Sequence, residues 1–409
     1  MEWRMSVRFC PRTVFAVDLS PYADRMSDLD AWKSLLQPEQ RELMALAADA
    51  DPTDVRVLTA LRKLASMPMV TVALELAAAR RKAVAKFAAP ETIVADAEGV
   101  EQATGERVAA HKARRFAEAG IAQVVDLCCG IGGDARALAG VAEVLAVDRS
   151  PLRAWMCERN AGCATEVADI ETRPWPETAF HLDPSRREES GRRKLKYADV
   201  VPGPPWIERL LAAQPDGAVK LGPGIDADEL PPGIELEFVT DRGRLVEAIL
   251  WSGRLARHPN ERTATRLPDG ATVSGAPSIA HVAEEDYEPA HLYVADPALE
   301  RAGLVGGRAD DGGLFDLAPG LGILGGDARV ADPFLTGFEV IEMLPFREKA
   351  VGAAIRARGF GRVEVKTRGR AVEPNVLEKR WRGDGAEVGT VFVLRLGKRL
   401  VAWITRRHS

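Results

Sequence analysis

The residues best placed to do chemistry form an acidic series threaded through glycines: Asp126-Leu-Cys-Cys-Gly-Ile-Gly-Gly-Asp134, then Asp148, Asp169 and Asp183-Pro-Ser-Arg186. Gly130 and Gly132 fall where an apolar run turns into a helical one. Lacking a Cβ, they let the backbone approach a ligand closely, while Gly133 permits the turn into the helix. Dinucleotide sites use such a turn too, so the acids must separate the readings. Asp148 closes the second apolar run, where a carboxylate can accept two hydrogen bonds from ribose hydroxyls. Asp126 would face phosphate charge in a dinucleotide site but is favourable opposite an ammonium, directly or through water. Asp169, at the end of a third run, can accept from an adenine amino group. S-adenosylmethionine offers ribose, adenine and ammonium but no phosphate, so this acid-rich surround suits it better than a dinucleotide or a turn with no ligand. The predicted cofactor-binding residues are Asp126, Cys128, Gly130, Gly132, Asp134, Asp148 and Asp169.

Those side chains need a scaffold. Residues 122–128, 143–147, 166–168, 178–182 and 218–221 are short apolar runs, with helical stretches at 135–139 and 151–160. Strands this apolar, alternating with helices, predict a mostly parallel sheet covered on both faces. Residues 235–240 and 245–251 flank Asp241-Arg-Gly243, a hairpin signal that finishes the sheet with an antiparallel pair. Upstream, Leu43, Leu46 and Ala47 share a helical face. Asp51 as cap and Pro52 open a second helix carrying Val55, Leu58, Leu61 and Leu64. A third helix spans 69–87. A fourth, over 99–119, brings Arg107, His111, Arg114 and Arg115 to one side, as a solvated face or as a basic ridge near the active-site mouth. The expected domains are a poorly ordered lead (1–30), a helical region (31–119), the ligand-binding α/β domain (120–255), a loop-rich connector (256–331) and a small basic α+β domain (332–409).

With 409 residues, two or three domains are expected. The five cysteines, Cys10, Cys128, Cys129, Cys157 and Cys163, are odd in number and show no repeated CxxC, which argues against a disulfide framework and a structural zinc site. No metal is predicted. No apolar run is long enough to cross a bilayer, so the expected address is the cytoplasm, with no membrane partner. The formal charge of −5 hides a division: residues 216–339 carry 22 acidic and 10 basic side chains, residues 347–409 carry 16 basic and 6 acidic. Six basic side chains also crowd into residues 186–196. Basic patches beside a ligand-binding domain are what a polyanion would require.

The stretch 100–251 resembles the class I S-adenosylmethionine-dependent methyltransferases. Their first glycine-rich motif falls on Asp126 to Gly132, with Cys128 where many members have a glycine; their ribose acid matches Asp148, and their adenine-contacting acid Asp169. The resemblance implies a Rossmann-like domain with a mostly parallel seven-stranded sheet, preceded by a helical region and followed by the small α+β domain. The family's fourth-strand motif, an acid followed by Pro-Pro and an aromatic, falls on Asp183-Pro-Ser-Arg186, so Asp183, Pro184 and Arg186 are the predicted catalytic residues. In the nucleobase-amine enzymes of that family, the acid and a backbone carbonyl orient the target amine while the aromatic stacks on the base. Here Ser185 and Arg186 replace the second proline and the aromatic. Arginine can stack on a base or pair with phosphate, and Arg186 and Arg187 could equally pair with Glu188 and Glu189. More narrowly, the chain is similar to bacterial methyltransferases ending in a THUMP-like domain. The matching segments are Asp183 to Arg187, Leu344-Pro-Phe346 and Val363 to Arg370.

The implied reaction is in-line attack of a substrate nitrogen or carbon on the sulfonium methyl, carried by orientation and a preorganised polar site. Cys128 and Cys129, at the turn, read as packed structure before nucleophile. His181, two before Asp183 on one strand, points to the same side, as a core residue or a proton acceptor. Trp206 could stack on a base or pack a loop. The implied acceptor is structured RNA, possibly tRNA. The alternatives are a small-molecule or protein methyltransferase, and a non-catalytic RNA-binding protein that keeps the fold.

Overall fold

The structure is a computed structural model that describes residues 26–175, 177–186, 197–226, 230–284, 286–318, 321–368 and 371–408. Its central strands are β1 (Gln123–Leu127), β2 (Glu143–Asp148), β3 (Ala164–Val167) and β4 (Ala179–Leu182). Next come a two-stranded antiparallel pair, β5 (Ser185–Arg186) with β6 (Val200–Val201), and then β7 (Gly217–Leu221), β8 (Glu235–Asp241) and β9 (Arg244–Ser252). The chain divides into two compact units. One holds residues up to Glu235 together with Ala248–Pro259, the other Leu236–Glu247 together with Asn260 onward.

In the first unit the strand order is β9-β7-β4-β1-β2-β3, parallel except for β9, which runs antiparallel to β7. Val124, Val125 and Leu127 of β1 are buried, as a strand covered on both faces demands. The helices are α1 (Met26–Leu35), α2 (Arg41–Ala48), α3 (Val55–Leu64), α4 (Met67–Ala83), α5 (Ala97–Gln102), α6 (Glu106–Glu118), α7 (Gly133–Leu138), α8 (Pro151–Ala161) and α9 (Pro204–Ala213). Ser150 caps α8, whose first residue is Pro151, and Gly162 ends it in the left-handed conformation.

Several expectations need correcting. The helical region is not a separate domain: Trp32, Leu43, Leu61, Val70 and Leu76 share one apolar core with Ile131 and Met156 of the α/β part. Part of the expected lead is helical, because α1 starts at Met26; residues 1–25 of that lead lie outside the described residues. Asp51 caps a turn at Thr53, and the helix begins at Val55 under Asp54, which accepts the Arg56 N–H. The expected single helix over 99–119 is broken into α5 and α6 at residues 103–105, where Thr104 turns inward and Gly105 takes an extended conformation.

The second unit contains β10 (Arg262–Leu267) and β11 (Ala271–Gly275), which with β8 and β9 give the order β11-β10-β8-β9. The seven strands implied by the resemblance are therefore present, and β10 and β11 add two more. It also contains β12 (His291–Ala295), α10 (Pro297–Ala302), α11 (Val305–Gly312), β13 (Phe315–Asp316), β14 (Ile323–Gly326), β15 (Leu335–Pro345), α12 (Glu348–Ala357), β16 (Phe360–Thr367), α13 (Pro374–Arg380), β17 (Glu387–Leu396) and β18 (Arg399–Arg407). A seven-stranded sheet runs β13-β14-β12-β15-β18-β17-β16. The span 256–331 is thus no connector: its Gly, Pro and Asp residues sit in turns between short strands, and β12 pairs antiparallel with β15. At the outer edge of this sheet the Val365 N–H donates to Glu378 Oε1 of α13 at 2.8 Å, and the Gly383 N–H to the Gly361 carbonyl at 2.9 Å. At the opposite edge the Asp316 N–H donates to the His281 carbonyl at 2.8 Å. Among the described residues no single helix is long and apolar enough to cross a membrane.

Candidate functional site

Register builds the site. Asp126 of β1 lies beside His181 of β4, which lies beside Ala218 of β7. Because side chains alternate along a strand, the residues two further on from His181 and Ala218, Asp183 and Lys220, share that face one row nearer the strands' carboxyl ends. Open α/β sheets bind ligands outside those ends.

The chain leaves β1 through a turn in which Cys128 (φ 63°), Gly130 (φ 54°) and Gly132 (φ 85°) are all left-handed. Cys128 tolerates a conformation that costs an L-residue roughly 1–2 kcal/mol. A Cβ on Gly130 would meet nothing within 4 Å, so its backbone lies open to a ligand. A Cβ on Gly132 would sit 2.9 Å from Cys157 Sγ of α8. Packing against α8 therefore requires a glycine at 132 in its own right. Asp148 Oδ2 accepts the Gly130 N–H at 3.0 Å and Oδ1 the Ser150 N–H at 2.8 Å. These bonds fix the carboxylate while each oxygen keeps acceptor capacity. Burial pushes the Asp148 carboxyl up, against the pull of the two backbone donors. Asp169 is exposed in a turn after β3 and accepts the Glu171 N–H at 3.0 Å; the Ala168 N–H bonded to the Asp148 carbonyl keeps this turn beside the end of β2.

Beneath the turn lies a charge cluster that the sequence reading did not find. Asp126 Oδ1 is 2.7 Å from His181 Nδ1. Asp134 takes Lys112 Nζ at 2.7 Å and the Thr104 hydroxyl at 2.6 Å, and His181 Nε2 is 3.8 Å from Asp134 and 3.4 Å from Lys112 Nζ. Asp126 and Lys112 are each 1% exposed and His181 is 0%. Burial opposes ionisation of Asp134, but Lys112, His181 and Lys220 together hold its carboxyl below the usual range. Burial likewise opposes protonation of His181, but the Asp134 and Asp126 carboxylates push it up overall. Burial raises the Asp126 carboxyl despite the pull of His181. Asp134, expected to meet the cofactor, is occupied by Lys112 and Thr104 instead. His181 is a core residue, closed off from any substrate. Asp126 Oδ2 has no hydrogen-bond partner among the described residues and remains a buried acceptor.

Nearer the surface, the Asp183 N–H donates to the Leu127 carbonyl at 3.1 Å, carrying β4 past the end of β1. Its Oδ2 meets Lys220 Nζ at 2.7 Å, and the same ammonium donates to the Gln102 carbonyl at 3.2 Å. Pro184 is buried, and Ser185 Oγ donates to the Val201 carbonyl at 3.3 Å. Arg186 lies in β5; Arg187 and the rest of the basic run to residue 196 lie outside the described residues. Trp206, read as a base-stacking or a loop-packing residue, is half-buried in the first turn of α9. The basic ridge on α6 is not continuous, because Arg115 is buried against Glu235 and lies over the Trp251 ring.

Comparison with known proteins supplies the family. Residues 335–407 match the family described as THUMP domain-like. Two Mycobacterium tuberculosis proteins, from strains CDC 1551 and H37Rv, are each described as an uncharacterised S-adenosylmethionine-dependent methyltransferase. Each is 34% identical over 325 residues, covering 75% of this chain and 86% of the relative. The chain belongs to the S-adenosylmethionine-dependent methyltransferases. A Porphyromonas gingivalis W83 structure, described as a candidate methyltransferase, shares the fold: TM-score 0.70 at 18% identity, over 94% of this chain and 99% of that one. The methyltransferase's donor is S-adenosylmethionine, and the turn fits it: Gly130 leaves open backbone, Asp148 offers fixed acceptors, and Asp126 Oδ2 is a buried acceptor still lacking a donor.

Proposed function

We propose that this methyltransferase modifies structured RNA, tRNA being the foremost candidate, and that residues 335–407 serve as its RNA handle. The observation that supports this reading is the basic surface of the THUMP-like domain. Arg358, Lys366, Arg380 and Arg406 are each paired with a carboxylate of the same domain. Arg347, Lys349, Arg356, Arg362, Lys379, Arg382, Arg395, Lys398 and Arg407 also lie on its exposed surface and supply the local positive excess. Phosphate contacts position a nucleic acid without reading its sequence, which suits a handle. An RNA substrate places the reaction in the cytoplasm.

On this reading S-adenosylmethionine, when bound, supplies an electrophilic methyl group on a sulfonium. Asp148 accepts from its ribose, Asp169 from its adenine, and Asp126 Oδ2 takes the ammonium directly or through water, while Cys128 and Gly130 shape the backbone around it. Asp183 and the Pro184 carbonyl accept from the nucleophile and aim its lone pair, and Arg186 stacks on the base or holds a phosphate. The test is transfer of tritiated methyl to total RNA, total protein and small metabolites from the same source, with wild type and Asp183→Ala. Label entering RNA only with Asp183 intact is expected; label confined to protein or metabolites overturns the RNA assignment.

A further inference from the structure

The charged groups of the sheet face stand in pairs: Asp126 with His181, Asp134 with Lys112, and Asp183 with Lys220. The first two pairs are buried. The third is open, with the Asp183 side chain 31% exposed against 15% for Lys220. Lys220 is the one charge in the run Ala218-Val-Lys-Leu221, in a strand with neighbours on both sides, β4 and β9. Burying most of an ammonium there is unfavourable unless a partner compensates it. One of the groups that meet it is a carboxylate oxygen of Asp183. Asp183 Oδ2 is taken at 2.7 Å, and Oδ1 is left without a hydrogen-bond partner among the described residues.

We infer that Lys220 is a positioning residue for methyl transfer: it clamps Asp183 Oδ2 so that Oδ1 is presented in a fixed direction to the nucleophile. This rests on the proposed role of Asp183, but not on the acceptor being RNA. Three features fit the clamp. Asp183 follows β4 directly and its backbone is already fixed by Leu127, so the freedom left is rotation of its side chain. Lys220 is fixed in turn at Gln102, the last residue of α5, so the clamp does not swing with its own flexible stem. Lys220 also lies close enough to Asp134 to help hold that carboxyl ionised, which ties the clamp to the buried pairs below. Orientation governs a reaction whose nucleophile must meet the methyl carbon in line, and a misplacement of about 1 Å can cost on the order of 100-fold in rate.

The test uses the full chain with tritiated S-adenosylmethionine and whichever fraction of total RNA, protein or metabolites the wild type labels. Four variants are compared: Lys220→Met, Lys220→Arg, Asp183→Asn and the double Lys220→Met/Asp183→Asn. Affinity for S-adenosylmethionine is measured separately by calorimetry. A clamp predicts that Lys220→Met lowers kcat by roughly 10- to 100-fold with donor affinity and KM for the acceptor little changed, and that Lys220→Arg recovers most of the rate. It also predicts that Lys220→Met brings no further loss once Asp183 is Asn, since the two act as one unit. Wild-type kcat in Lys220→Met overturns the clamp, as does a loss in Lys220→Met that simply adds to that of Asp183→Asn. A parallel fall in donor affinity and kcat, unrelieved by arginine, overturns it in favour of a staple between β7 and α5. Label found in protein or metabolites overturns the RNA assignment and leaves the clamp to be judged on that fraction.

Discussion

Charge is handled in opposite ways in two regions of this methyltransferase. In the α/β unit Lys112, His181, Asp126 and Asp134 are drawn inside and matched one against another within a few ångströms. In the THUMP-like domain cationic side chains stay on the surface, several of them beyond what the domain's own carboxylates take up. The first arrangement exchanges hydration for fixed geometry, and it fails if one member is removed. The second keeps its hydration and acts through its field, so each member is individually expendable. The difference teaches that the buried cluster, apart from the spare Asp126 Oδ2, answers to architecture, while the exposed set is available for the proposed RNA handle.

The comparison breaks most readily at Lys112. Lys112→Met leaves Asp134 buried without its cation, and removing one partner of a buried pair typically costs about 3–5 kcal/mol. The expected readout is a large fall in the urea midpoint; a midpoint near wild type would mean the cluster is not what holds α6 to the sheet. Asp148→Asn tests the boundary between structure and ligand. Losing a charge-assisted acceptor should weaken S-adenosylmethionine by about 1.5–3 kcal/mol, read by calorimetry, with little loss of fold. The buried cluster should also report pH. Because His181 is raised above its ordinary value, its stabilising charge is fully present below about pH 6.5 and is lost as pH climbs through the higher native value. Denaturation midpoints should decline as pH rises above about 6.5 and through that native value, and a His181→Asn variant should lose this slope. At the other extreme, Lys379→Glu with Arg382→Glu should leave the urea midpoint untouched. It should weaken RNA modestly and flatten the slope of log K against log salt by about 0.7–0.9 for each phosphate that is no longer neutralised. An unchanged salt slope would separate this surface from nucleic acid.

The open part of the site was legible in the sequence because local rules write it: glycines at a strand-to-helix turn, an acid at each strand's end. The buried part was not. Lys112 sits among Val108, Ala109, Ala113 and Phe116 on the buried face of α6, a misplaced charge on an amphipathic pattern. Its partner Asp134 lies in another helix and is set by how α6 packs, which no periodicity records. Lys220 is a lone charge in an apolar strand, a similar signal that went unused. That Cys157 comes to rest against Gly132 is likewise a matter of packing that the sequence cannot show. The span 256–331 read as connector because short strands between glycines and prolines resemble loop until their partners are known.

The bonds from Val365 to Glu378 and from Asp316 to His281, at the two flanks of the seven-stranded sheet, have an outcome for how this chain associates. Exposed strand flanks are where other chains add on, by augmentation or aggregation. At those positions the edge backbone is taken up by the protein's own groups, so an added strand would first have to displace Glu378 on one flank or the His281 carbonyl on the other.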